Sequence, residues 1–164
     1  MREESRQTLW FWFWVIMALM IIFLLAGLIF ASAGFKRGQE YKEMDSVAQR
    51  KTPIVRVQKR YHLSRTVNSS AVYGQDRKGH GYYLIYLPAS KRAYLYAAAK
   101  GRSAKQIMRK FYQEEGHKRQ EQINLGWYKG QPAWEVSFVN ANSSRGYALY
   151  SFKKGHRLSF INNL

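Results

Sequence analysis

The side chains with which this chain could bind a metal or move a proton are few. It has 164 residues, four histidines, ten acidic residues and no cysteine. His62, His80, His117 and His156 fall in separate predicted elements, three of them at strand ends or turns, and none has the short spacing that lets two ligands share one ion. Without cysteine there is no thiolate nucleophile, no thiolate metal site and no disulfide framework. Glu114-Glu115 could supply an acid and a base only if the two carboxyls had different surroundings, and the pair reads more simply as the polar end of a helix. Ser143-Ser144 lies in an Asn-rich loop with no identifiable base beside it. Gly126–Gly130 lacks the glycine spacing of a phosphate loop. The expectation is a non-enzymatic protein with no metal and no cofactor.

Charge is a stronger signal. Twenty-seven Lys and Arg against ten Asp and Glu give a net charge of +17. Arg2 and Arg6 cancel Glu3 and Glu4, so the rest of the chain carries all of that +17. The cations come as doublets spread along the chain, among them Lys36-Arg37, Arg50-Lys51, Arg77-Lys78, Arg109-Lys110 and Lys153-Lys154. Such a charge attracts polyanions. Nucleic acid is the candidate for a cytoplasmic domain, but no helix-turn-helix, RNP pattern or zinc finger is present, which disfavours it. Outside a cell the polyanions are anionic wall polymers and lipid headgroups. A generally solvated basic surface is the plainer alternative.

What positions these residues begins with a membrane span. No charged side chain occurs between Arg6 and Lys36, and Leu9–Ala33 is almost wholly apolar. About 20 apolar residues suffice to cross a bilayer core. Trp10, Phe11, Trp12, Phe13 and Trp14 crowd one end, and indole rings favour the headgroup level, so Trp10, Trp12 and Trp14 are the expected membrane-interface residues. Ala31-Ser32-Ala33 has the form of a signal cleavage site, but the apolar run exceeds a signal h-region, and the segment reads as an uncleaved anchor. Lys36, Arg37 and Lys42 on the far flank would by the positive-inside rule keep the domain in the cytoplasm. That rule is weak for long domains, and a short cytoplasmic tail with the domain outside is the expected topology.

Beyond the span the pattern is a helix followed by strands, twice over. Gly38–Arg50 is a short helix candidate, with Tyr41, Met44 and Ala48 on one face, ended by Thr52-Pro53. Ile54–Leu63, Thr66–Gln75, Tyr82–Leu87 and Ala93–Ala98 read as strands. Ser103 and Gln106 form a capping-box pair, with Ala104, Ile107, Met108 and Phe111 at helical spacing and Gly116 as the stop. Lys118–Leu125, Ala133–Val139, Gly146–Phe152 and Arg157–Ile161 are the later strands, with a loop expected around Gly126–Gln131. Trp134, Val136 and Phe138 share one strand face, with Glu135 facing away. Trp134, Phe138, Ile107 and Phe111 are assigned to a second core. Trp127 and Tyr128, in the expected loop, are candidate partner contacts, since exposed aromatics beside cations suit an interface; packing within the fold is the competing reading.

The halves look duplicated. Gly81-Tyr82-Tyr83-Leu84 matches Gly146-Tyr147-Ala148-Leu149, and the helix faces at Tyr41, Met44 and Ala48 recur at Ala104, Ile107 and Phe111. Trp134-Glu135-Val136, the Asn-rich loop, Gly146-Tyr147-Ala148-Leu149-Tyr150 and the Lys154-Gly155 turn resemble the C-terminal half of the YpmB/TseB-like proteins. The resemblance extends upstream through Ser103–Gly116, Tyr82–Pro88 and the N-terminal anchor. Those are membrane-anchored proteins of Gram-positive bacteria related to the PepSY and cystatin-like fold. The resemblance implies an α+β protein with a cytoplasmic tail (1–8), a transmembrane helix (9–33) and two tandem PepSY-like units (34–100 and 101–164) outside the membrane. It further implies a regulatory part in cell-wall elongation beside a penicillin-binding transpeptidase, and it supplies no catalytic residues. The high positive charge and the aromatic-rich anchor depart from the family pattern. A basic polyanion-binding membrane protein is the alternative function.

Overall fold

The structure is a computed structural model that describes residues 2–116 and 118–162, with side chains described at 10–28, 42, 44–116 and 118–162. It is α+β. Helix α1 runs Arg2–Lys51, followed by strands β1 (Arg56–Ser64), β2 (Asn68–Gln75), β3 (Gly81–Leu87) and β4 (Arg92–Ala97). A single 3₁₀ turn at Ala98–Lys100 leads to helix α2 (Ala104–Glu115), then β5 (Arg119–Tyr128), β6 (Gln131–Val139), β7 (Arg145–Ser151) and β8 (Arg157–Ile161). The chain divides into two compact units, Met1–Glu40 and Tyr41–Leu164.

The first unit is helical, and its apolar stretch Trp10–Leu28 has a mean hydropathy of 2.6 with no residue buried. The segment Gly38–Arg50, expected as a separate short helix, belongs instead to α1. Nothing between Phe35 and Lys51 breaks a helix, and the one glycine there, Gly38, costs only about 1 kcal/mol in a helix interior. The stop comes where the sequence puts it, just before Thr52-Pro53.

In the second unit each set of four strands forms one antiparallel meander, in the orders β1-β2-β3-β4 and β5-β6-β7-β8. Both first strands are irregular at matching places. The register slips between Val57 and Lys59 in β1, and between Gln120 and Gln122 in β5, 63 residues later. The repeated order of helix and four strands therefore extends to a repeated bulge.

Each helix covers one sheet face. Met44 and Ala48 of α1 pack with Ile54, Val72, Leu84 and Tyr86 on the first sheet. Ile107 and Phe111 of α2 pack with Trp134, Val136, Phe138, Ala148 and Tyr150 on the second. Helix α2 starts as its sequence specifies. The Gln106 amide N–H donates to Ser103 Oγ, and Gln106 Oε1 accepts from the Ser103 N–H at 2.9 Å.

The expected second core is not separate. Tyr61, Ala71, Tyr83 and Ile85, from the first sheet's face opposite α1, join the α2 and second-sheet residues in one cluster. Trp134 is where they meet. Its ring lies 5.3 Å from Tyr61 and 5.6 Å from Tyr83, both edge to face, and its Nε1–H donates to the Arg102 carbonyl at 2.8 Å. Edge-to-face contacts match the positive ring edge to a negative face.

The loop expected around Gly126–Gln131 is a second correction. β5 continues through Gly126, Trp127 and Tyr128, and only Lys129-Gly130 turn before β6 begins at Gln131. Gly126 is a packing glycine, not a turn glycine. A Cβ there would fall 2.3 Å from Leu63 Cβ and 2.4 Å from Ser69 Oγ. Two strands of different sheets touch where one lacks a side chain.

Candidate functional site

The clearest candidate for function is the apolar helix itself. Trp10–Leu28 is long and apolar enough to cross a membrane. Trp10 and Trp14, one turn apart, lie 6.5 Å apart on one side of the helix, and Trp12 falls on another side. All three are exposed. Indoles on two sides of the helix suit an end surrounded by headgroups, since each ring can keep its N–H toward water.

The two candidate contact residues, Trp127 and Tyr128, are consecutive on β5 and so point to opposite sheet faces. Trp127 stacks on Tyr94 of β4, with ring centroids 4.3 Å apart and planes 16° apart, and packs against the shared core. Its backbone N–H donates to Ser69 Oγ at 2.9 Å. Tyr128 packs against the small cluster of Leu63, Ala133 and Leu149, with Lys129 Nζ 5.4 Å from its ring centroid. Both are half-buried. The structure does not bring them onto one surface, and a partner that touched Trp127 would also meet Tyr94.

An ion pair between a buried carboxylate and a solvent-facing arginine went unseen in the sequence. Glu135 does face away from Trp134, but that side of the sheet is covered too: Glu135 is only 5% exposed. Arg65, in the β1–β2 turn, donates from Nε to Glu135 Oε2, and its guanidinium carbon sits 3.7 Å over the Tyr147 ring. An acid alone among apolar residues in a strand was the available signal. Its partner is 70 positions away, beyond any local pattern.

Glu114 and Glu115 are held in a network. Tyr150 Oη donates to Glu114 Oε2 at 3.0 Å, Lys110 pairs with Glu114 at 3.0 Å, and Lys118 pairs with Glu115 at 2.9 Å. Arg157 of β8 reaches both carboxylates. Partial burial pushes the Glu114 carboxyl up, but hydrogen bonds from Lys110 and Tyr150 and the charges of Lys110 and Arg157 outweigh it and hold it below the ordinary range. Burial, with the Glu114 hydrogen bond, raises the Tyr150 phenol. Burial, then Tyr73, pushes Tyr61 up to about 12. These shifts belong to packed structure.

The histidines are scattered. His62 Nδ1 lies 3.3 Å from Ser70 Oγ, and exposed His80 is 3.0 Å from Asp76. The His156 backbone N–H donates to Ser151 Oγ, and His117 lies outside the described residues. Among the described residues no group of three His, Asp or Glu could hold a metal ion.

Among solved structures a likeness at the level of the fold stands out. The YpmB protein from Bacillus subtilis superposes with a TM-score of 0.64 at 21% identity, over 74% of this chain and 95% of that one. The fold is YpmB-like. No protein-family model and no curated protein matches the chain.

Proposed function

We propose that this chain is a membrane-anchored, non-enzymatic regulator of bacterial cell-wall elongation, acting by contact with the external part of a penicillin-binding transpeptidase. The observation that carries the reading is the YpmB-like fold in a chain that also has one apolar helix long enough to span a membrane. The two helix-and-meander repeats are on this reading PepSY-like units outside the membrane, with the N-terminal tail in the cytoplasm. The anchor matters to the mechanism. Two proteins confined to one membrane meet at a raised effective concentration, so a weak interface suffices. The Tyr94–Trp127 stack is the contact surface we favour, because it presents aromatic area at the rim of the shared core.

Deletion of the chain tests the proposal. It should change cell dimensions or sensitivity to wall-active drugs, and the full chain should restore them. A version in which Trp10–Leu28 is replaced by a cleavable signal, releasing the domain, should restore them poorly. Full rescue by the released domain would remove membrane confinement from the mechanism. Wild-type dimensions and drug sensitivity after deletion would remove the elongation role.

A further inference from the structure

Arg109-Lys110 and Lys154 are far apart in the sequence, and the fold brings them to one cleft. Between α2 and the β7–β8 turn lies a cleft of about 300 Å³, lined by Arg102, Gln106, Arg109, Lys110, Gln113 and Lys154 among others. Among the described residues no carboxylate lines it. The turn is closed on itself and its leading strand is tied to the residue that leads into α2. The Gly155 N–H donates to the Ser151 carbonyl at 2.8 Å, and the Arg102 N–H to the Phe152 carbonyl at 2.7 Å. Gly155 has φ +71°, and a Cβ there would lie 3.5 Å from both Arg102 Cγ and Ile107 Cδ1.

The charge in this cleft is largely uncompensated. Lys110 pairs with Glu114 at 3.0 Å. Among the described residues no carboxylate pairs with Arg102, Arg109 or Lys154. Gathering cations without counter-charge is unfavourable, and an anion relieves it. Gln106 adds a neutral donor. Its Oε1 is engaged by the helix cap, which leaves the amide N–H₂ to donate.

We propose that this cleft binds a phosphate group. A carboxylate brings one charge, whereas a phosphate monoester brings about two and three acceptor oxygens. Arginine forks match those oxygens bidentately and lysine adds a point charge. The same monoester chemistry is offered by a soluble phosphate ester and by a lipid whose headgroup is a phosphate monoester, as in phosphatidic acid. The site stands on the cleft geometry and is independent of the elongation reading.

The test uses the full chain in phosphatidylcholine nanodiscs, titrated with tripolyphosphate at fixed ionic strength while backbone amide NMR signals are followed. The signals of Gly155 and Gln113 should shift and saturate. Arg102→Gln with Lys154→Gln should weaken binding about tenfold or more, the scale of one lost charge-assisted hydrogen bond. Arg77→Gln with Lys78→Gln, the same charge change in the β2–β3 turn, should alter it less than about twofold. Arg102→Lys with Lys154→Arg, which keeps the charge, should retain saturable binding and guards against a folding defect. In nanodiscs containing phosphatidic acid the same amides shift without added phosphate if a headgroup is the natural occupant, and stay put if a soluble phosphate is. Equal weakening by the two glutamine pairs, or no saturable response to either probe, would overturn the site.

Discussion

Trp134 joins the two sheets through single atoms. Its N–H reaches the Arg102 carbonyl, and its ring meets Tyr61 and Tyr83, which belong to the other meander. Trp134→Ala should cost about 3–5 kcal/mol in denaturant unfolding of the detergent-solubilised chain, and a loss below about 1 kcal/mol would contradict its burial. The Arg65–Glu135 pair behaves differently. Removing the arginine alone leaves a buried carboxylate without its cation, so Arg65→Met should cost about 1–3 kcal/mol, while Arg65→Met with Glu135→Leu should recover most of the loss. Tyr61 gives a check at alkaline pH. Its folded pKa, near 12, exceeds the unfolded value of 10.0. Its contribution is therefore full below the unfolded value and is lost as pH rises through the folded one. Stability should fall progressively across that window, and part of the phenolate absorbance should appear only on unfolding. At this scale strand alternation pointed to Trp134's burial, but not to the residues it would touch. Tyr61 and Tyr83 lie more than fifty positions away, and no local spacing encodes such a contact.

Among the elements, α2 was legible to its caps because its signals are local: Ser103 and Gln106, an apolar stripe, and Gly116. Ser103→Ala should cost about 1 kcal/mol. The acid side of the stability curve has a source at the other end of the same helix. Glu114's folded pKa is below its unfolded value, so its stabilisation is present above the unfolded value and is lost as pH falls through the lower folded one. Glu114→Gln should flatten that part of the curve. Strand β5 was misread for a specific reason. Gly126 carries the signature of a turn, but its lack of a side chain admits Leu63 and Ser69 of the first sheet. Gly126→Ala should therefore destabilise by about 1–3 kcal/mol through overpacking, whereas Gly79→Ala, in open space at a true turn with φ +84°, should cost only backbone strain. The rest of the candidate site was partly hidden for the same kind of reason. Trp127 and Tyr128 were visible as aromatics, but their opposite faces follow from a strand that runs three residues further than its glycine suggests.

For the whole molecule, the long apolar helix and the recurring order of strands were readable because both are long patterns, one of hydropathy and one of element order. The shared core was not, since it depends on how two similar halves pack. That packing limits which experiments inform. Removing Ser103–Leu164 would strip Tyr61, Tyr83 and Ile85 of their covering residues, so a truncation there would unfold the first sheet as well as delete the second. Topology is tested instead on the intact chain: protease added to wall-stripped cells should digest the domain, and protection until the membrane is opened would place it in the cytoplasm. The central claim is contact with a wall-synthesising enzyme, and the most direct measurement is photocrosslinking in intact cells from a probe at position 94, beside Trp127, followed by identification of the attached protein. The account predicts a penicillin-binding transpeptidase, captured from position 94 and not from a control probe in the β2–β3 turn. Equal capture from both positions, or recovery of nucleic acid or of unrelated proteins alone, would contradict it.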